Sequence, residues 1–323
     1  MRPETLDFEE PIVALLKQTE ELSLLPRTEA TQHEIETLGR RVAMARASLY
    51  GSLTPWQRVL VARHPNRPGL EHFIQRLFSG FVEIHGDRRF ADDRAIITGF
   101  ATYRREQVLV VGHVKGGDTK QKVFRNFGYA RPEGYRKALR AMRLAEKFSR
   151  PVIAFIDTPA AYPGIESEER GVAEAIASNL RDMIMLDTPV IVIVTGEGGS
   201  GGALGIAIGD RVLMQEFAIY SVIPPEGCAA ILWRDVAKKV EAADALKLTA
   251  PDLLSAGVID GIIREPVGGA HADPSAATSY VDEALALALD GVRQLDRETR
   301  LTKRQEKFRS MGKSGVDFVE SGS

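Results

Sequence analysis

Val190-Ile191-Val192-Ile193-Val194-Thr195 runs directly into Gly196-Glu197-Gly198-Gly199-Ser200-Gly201-Gly202-Ala203. An unbroken β-branched run has the composition of a strand buried on both faces. Positions 196–202 then hold five glycines, and residues 204–208 beyond them read as a buried helix. Strand, glycine turn, helix is the repeating unit of an α/β protein. Working outward, similar short runs stand at 108–111, 152–156, 212–214, 219–222 and 258–263. Helical spacing separates them at 133–148, 168–186, 235–246 and from Ser275 onward. The expected class is α/β.

Two of these strands start alike. Pro151-Val152-Ile153 and Pro189-Val190-Ile191 lie 38 residues apart, and at the same offset Gly164 matches Gly202. Repeated units of this kind predict turns aligned along one cleft. Upstream, Leu6, Ile12, Leu15, Leu16 and Leu22 make one apolar stripe, and Ile35, Leu38, Val42 and Leu49 another. A break at Pro26 and a restart at Thr28 give a helical hairpin. It is too thin to bury both stripes alone, so it packs on the main domain or on a partner. The expected organisation is a helical extension over 1–50, a main domain over 51–311 with a loop at 63–69, and a flexible tail over 312–323.

Composition narrows the class. Of 323 residues, 44% are hydrophobic and 27% charged, and the net charge is -2. These are values of an ordinary globular protein with no general bias toward nucleic acid or membrane. No apolar run approaches the ~20 residues of a membrane span. Met1-Arg2-Pro3-Glu4 shows no apolar signal region, so a cytoplasmic location is expected. The one cysteine, Cys228, excludes an internal disulfide and a four-cysteine zinc site, and reads as a packing thiol.

The chemistry concentrates in the glycine turns. N–H groups at a helix start lack internal acceptors and favour negative charge. Glycine lets a substrate approach them without a Cβ clash. The turn 196–203 therefore predicts an oxyanion hole, with tight strand–helix packing as the alternative. No lysine follows Gly201 or Gly202, which excludes a G-x-x-x-x-G-K-[ST] phosphate loop, and no clear dinucleotide fingerprint is present. Gly198-Gly199-Ser200-Gly201-Gly202 also satisfies G-x-S-x-G, with Asp260 and His271 following in hydrolase order. Against a Ser200 nucleophile, the serine stands five residues beyond Thr195 rather than at the strand end.

Two further turns join the first, 112–118 with His113, Lys115, Gly116 and Gly117, and 158–164 with Tyr162 and Gly164. Residues 120–150 hold ten basic side chains against two acidic ones. Helical spacing puts Arg136, Arg140, Arg143 and Lys147 near one face. With Lys120 and Arg125 they are candidates to meet coenzyme A phosphates or an acidic partner, or to form a solvated surface.

The stretch 201–212, a glycine pair, a short helix, Asp210 and a strand, resembles the crotonase superfamily. The match is closer to one branch. Gly86-Asp87-Arg88, Asn126-Phe127-Gly128, Pro132-Glu133-Gly134-Tyr135-Arg136-Lys137-Ala138, Glu168-Glu169-Arg170-Gly171, the turn 196–203 and Pro225-Glu226-Gly227-Cys228-Ala229 resemble the alpha chains of bacterial acetyl-CoA carboxylase carboxyltransferases. Leu6-Asp7-Phe8-Glu9 and Arg63-His64-Pro65 fit as well, so the resemblance covers nearly the whole chain.

The resemblance implies a ClpP/crotonase spiral of β-β-α units with an N-terminal helical extension, here as the C-terminal-type half of a carboxyltransferase. It implies carboxyl transfer from carboxybiotin on a biotin carboxyl carrier protein to acetyl-CoA, giving malonyl-CoA for fatty acid synthesis. Backbone N–H groups of Gly201 and Gly202 would stabilise the biotin oxyanion. Gly198, Gly199, Ser200, Gly116, Gly117, Gly164 and Tyr162 would line the substrate or biotin site. No cofactor is bound covalently and no metal is held by this chain. Zinc is expected only in a beta subunit, which would complete an α2β2 assembly served by a biotin carboxylase. Two positions depart from the family pattern, Ala160 in place of glycine and Gly117 in place of a larger polar residue. The competing functions are a stand-alone crotonase hydratase or isomerase using Glu197 or Glu226, a serine hydrolase using Ser200, and a non-catalytic scaffold.

Overall fold

The computed structural model describes residues 5–26 and 28–312. The tail expected over 312–323 lies outside the described residues from 313 onward. The chain opens with helices α1 (Glu10–Ser23), α2 (Glu29–Gly51), α3 (Pro55–Ala62) and α4 (Leu70–Leu77). Strands β1 (Ser79–Glu83), β2 (Ile96–Tyr103) and β3 (Glu106–His113) follow, then α5 (Thr119–Phe124) and α6 (Pro132–Lys147). Next come β4 (Val152–Thr158), α7 (Ile165–Glu169), α8 (Val172–Met183), β5 (Val190–Gly199) and α9 (Ser200–Leu204). After β6 (Arg211–Gln215) and β7 (Ile219–Ser221) stand α10 (Pro225–Leu232), α11 (Lys239–Ala245) and α12 (Ala250–Ser255). Strand β8 (Gly261–Ile263) and helices α13 (Pro274–Arg293) and α14 (Arg297–Ser310) complete the chain.

The strands form one sheet in the order β1-β2-β3-β4-β5-β6-β8, with β7 pairing β5. The first three are antiparallel and the rest parallel. Successive side chains on a strand point to opposite faces, and the core divides accordingly. Val152, Ala154, Val190 and Val192 lie in one apolar cluster with Ala138 and Met142 of α6 and Ala175 of α8. Ile153, Phe155, Ile191 and Ile193 lie in another with Phe73 of α4 and Val281 and Leu285 of α13. Helices therefore cover both faces, which is why the central strands read as continuous apolar runs.

The internal repeat is a register. Val152 faces Val190 and Ile153 faces Ile191 in the parallel pair β4–β5. The glycines at that offset are not structurally equivalent, because the register shifts beyond Ile156 and Gly164 precedes α7 whereas Gly202 lies inside α9.

Several expectations are corrected in detail. The helix expected over 204–208 is α9, which starts at Ser200 and ends at Leu204. A Cβ on Gly205 would lie 2.5 Å from the Tyr135 ring, so the chain turns there beneath α6. The helix expected over 168–186 breaks at Gly171, whose φ is +76°. That expected over 235–246 opens as a 3-10 turn before α11. The strand expected from Val258 starts only at Gly261, because the amides of Val258 and Ile259 bond Leu253 O at the end of α12. Strands β1 and β2 were not expected. Their runs mix Ser79, Gly80, Thr98 and Gly99 among the apolar residues, which masks the alternation.

Candidate active site

Strands β3, β4 and β5 end side by side, and a glycine turn follows each. The carboxyl ends of parallel strands are where α/β sheets bind ligands. Strand β5 extends to Gly199, so three glycines of its turn are extended chain running past the β4 turn. Their need for no side chain is steric. A Cβ on Gly196 would collide with the Asp157 carboxylate and one on Gly199 with the Pro159 carbonyl. A Cβ on Gly198 would lie 2.7 Å from the Tyr220 ring, and one on Gly202 would strike the Ala160–Ala161 backbone. Tight packing therefore accounts for four of the five glycines.

Gly201 is different. The nearest atom to its Cβ position is a methyl of Ile176 at 3.5 Å, an ordinary contact. It is half-buried, one residue inside the start of α9. The amides of Gly201 and Gly202 find no acceptor outside the helix among the described residues, as expected for a first helical turn. Ser200 before them holds φ +48°, a conformation rarely adopted by a residue with a side chain, and it turns the extended strand into the helix.

Alternating charges clasp the strand ends. Lys115 Nζ lies 2.6 Å from both Asp157 Oδ1 and Glu197 Oε2. Arg63 Nε lies 2.6 Å from Glu197 Oε1, and its Nη1 lies 2.5 Å from Glu226. Asp157 also accepts the backbone N–H of Glu197 at 2.9 Å. The chain thus joins α3, β3, β4, β5 and α10. Burial alone would raise the Glu197 carboxyl, but the charges and hydrogen bonds of Lys115 and Arg63 outweigh it and hold the group at about 2. Burial opposes the Lys115 charge too, yet Asp157 and Glu197 together raise its pKa. A cleft of about 570 Å³ opens over this chain, lined among others by Arg63, His113, Lys115, Gly116, Gly117, Asp157 and Glu197.

Of the expected site residues, Gly116 and Gly117 line this cleft. Gly198 and Gly199 line a small adjoining recess with Arg63 and Glu197. Gly201, Gly202 and Ser200 line neither. Gly164 caps α7 against the Tyr162 ring, and Arg131 sits over that ring at 4.9 Å. Lys120 is exposed on α5. Arg125 pairs with Glu71 at 2.7 Å. Arg136 pairs with Asp87 at 2.9 Å and Glu133 at 3.2 Å, and Arg140 donates to the carbonyls of His85 and Gly86. Much of the basic face of α6 is thus bonded within the chain.

The two sequence departures carry no strain. Ala160 is not among the described residues with positive φ, so it needs no glycine. Gly117 is exposed with open space at its Cβ position. Sequence reasoning missed the role of Arg63 and Asp157. Their signal, isolated charges beside apolar strand ends, emerges only when the fold brings them together. The hydrolase partners are occupied elsewhere: Asp260 accepts from Lys307 and from Val212 N, both at 2.7 Å, and His271 stacks on His64 at 3.8 Å. Glu197, clamped and strongly acidic, is a poor general base at neutral pH.

The family model described as acetyl co-enzyme A carboxylase carboxyltransferase-like matches residues 5–312. A relative from Geobacter metallireducens, named acetyl-coenzyme A carboxylase carboxyl transferase subunit alpha, is 52% identical over 309 residues, covering 95% of this chain and 97% of the relative. Among solved structures, transcarboxylase 12S superposes with a TM-score of 0.58 at 18% identity, over 72% of this chain and 43% of its own. A Pseudomonas malonate decarboxylase hetero-tetramer superposes with a TM-score of 0.56 at 18% identity, over 69% of this chain and 89% of its own. The fold is the crotonase-like α/β fold of these enzymes.

Proposed function

The chain belongs to the acetyl-CoA carboxylase carboxyltransferase family, and from that premise we propose that it is the alpha subunit of the enzyme that moves a carboxyl group from carboxybiotin to acetyl-CoA. The observation that carries this reading is the near full-length match at about half identity to chains of that name. The unpartnered amides of Gly201 and Gly202 supply a physical basis for the chemistry.

Departure of the carboxyl group leaves negative charge on the biotin urea oxygen. Two fixed N–H donors aimed at that oxygen lower the barrier without a metal, and one such donor is worth ~10²–10³ in rate. Proton removal from the acetyl methyl group puts charge on the thioester oxygen, which needs a second set of donors. The proposal places those in a beta subunit, along with zinc, in an α2β2 assembly. A biotin carboxyl carrier protein would deliver the biotin and a biotin carboxylase would charge it. The location would be cytoplasmic; among the described residues no helix is long and apolar enough to cross a membrane. In this chain the Arg63–Glu197–Lys115–Asp157 clasp fixes the end of β5, and so fixes where α9 begins. Gly164 and Tyr162, on the turn that packs against Gly202, would complete the biotin side.

Reconstitution tests the reading. The chain alone is expected to leave malonyl-CoA and biocytin unchanged, and a co-expressed beta chain is expected to restore carboxyl exchange between them. Exchange by the isolated chain, or none by the purified pair, would overturn it.

A further inference from the structure

A second concave surface lies between the 85–93 loop, α6 and α8. It is a groove of about 370 Å³ whose lining includes Arg88, Arg89, Arg136, Arg140, Arg143 and Arg181. Three carboxylates share the lining, Asp87, Glu174 and Asp182. Two are fully engaged. Asp87 takes Arg136 on one oxygen and the amides of Arg89, Phe90 and Ala91 on the other. Asp182 is shared by Arg143 and Arg181. Glu174 accepts from the Ser178 hydroxyl.

That leaves three guanidiniums of the lining with no carboxylate bonded to them among the described residues. Arg140 reaches only the carbonyls of His85 and Gly86. Burial lowers its pKa and the like charge of Arg88 lowers it further, outweighing the opposing charges of Asp87 and Asp92. Arg88 and Arg89 are exposed and form no ion pair among the described residues. Arg88 is also held at φ +63°, a strained backbone for a residue with a side chain, immediately beside the amide-bonded Asp87. Gathering like charges in a recess is unfavourable unless an anion bridges them. Guanidinium forks match phosphate oxygens in geometry as well as charge.

We propose that the groove between the 85–93 loop, α6 and α8 binds a compact polyphosphate group, held chiefly by Arg88, Arg89 and Arg140. It shares no lining residue with the cleft over Lys115. The inference does not depend on the carboxyltransferase reading. The phosphates can come from a free small molecule or from a phospholipid headgroup, and the proposal commits to the free molecule.

The test is calorimetric titration of the full-length chain with inorganic pyrophosphate at physiological salt, beside sedimentation with phosphatidic acid vesicles. The variants are Arg88→Gln and the pair Arg88→Gln with Arg89→Gln. One-site saturable binding is expected, weakened about tenfold or more by each lost charged donor, with a shallower salt dependence in the pair. Melting temperature and the exchange activity of the αβ enzyme are expected to stay as in the parent. Absence of saturable binding, unchanged affinity in the double variant, or binding to vesicles alone would each overturn the proposal. Loss of exchange in the reconstituted enzyme with pyrophosphate binding intact would count against the carboxyltransferase reading only.

Discussion

Gly201 and Gly202 are adjacent in the chain and opposite in their surroundings. A side chain on Gly202 meets the backbone of Ala160 and Ala161, which cannot step aside. A side chain on Gly201 meets a single methyl at ordinary distance. The two positions therefore separate packing from chemistry. Gly202→Val is expected to destabilise the protein by about 1–3 kcal/mol or more through overpacking, with loss of activity as a consequence. Gly201→Ala is expected to leave the melting temperature equal or slightly raised, since alanine is the better helix former. It should lower kcat/KM of the αβ enzyme at least tenfold if a substrate oxygen approaches that amide. Full activity in Gly201→Ala would make the turn a packing device throughout. The glycine density was plain in the sequence, but its cause was not. A backbone crossing between residues 160 and 202 leaves no pattern in either segment, so a turn that reads as a ligand cradle is mostly a place where two strand ends run close together.

At the scale of elements, apolar periodicity found what apolar packing holds. The six runs of branched residues became β3 to β8; β4 and β5 are buried on both faces, whereas β7 and β8 are only partly covered. Helix α14 escaped that logic. It is strongly polar, and the helical pattern from Ser275 onward gave no sign that Asp296 caps a separate helix. What docks it is Arg304, almost wholly buried, with Nε and Nη2 on the Asp210 carboxylate and further bonds to the carbonyls of Met183, Leu186 and Thr188. Removing one member of a buried pair strands the other charge and costs about 3–5 kcal/mol. Arg304→Met is therefore expected to lower unfolding stability in urea by that amount. The double variant Arg304→Met with Asp210→Asn should recover part of the loss, because no uncompensated charge remains. Additive losses in the double variant would mean that the carbonyl bonds, rather than the ion pair, carry the docking.

For the whole molecule the informative groups are two imidazoles at different junctions. His113 ends β3 under the central cleft, fully buried, with its ring against the backbone of Gly202 and Phe155. His271 stacks on His64 in a recess that also holds Arg46 of α2 and Ile12 of α1, where the N-terminal helices meet the sheet domain. Burial pushes both rings down to about 3, with Lys115 adding to the effect at His113 and His64, Arg67 and Arg46 at His271. A ring that stays neutral when folded but takes a proton near 6.5 when unfolded gives stability that is complete above pH 6.5. That stability falls as the pH drops toward 3. Two such rings give a slope of about 2.4 kcal/mol per pH unit over the range from 6 to 5. They are opposed in part by Asp93, whose carboxyl burial raises to about 6 and which gains stability as the pH falls through that range. His72, shifted down by burial and by Arg76, adds in the direction of the two rings. Urea midpoints measured across pH 5–8 should be flat at the upper end and fall below 6.5, and His113→Asn should remove about half of the slope whatever its effect on absolute stability. A His113→Asn variant that keeps the full slope of the parent would show that this ring is protonated in the folded chain, and that the centre of the molecule is wetter than its packing indicates. The sequence favoured a packing role for His113 over a catalytic one, and gave His271 no reason to converge on Ser200. The fold agrees, making both neutral fillers whose charging opposes the closed structure, so acid is expected to loosen the cleft and the helical junction together.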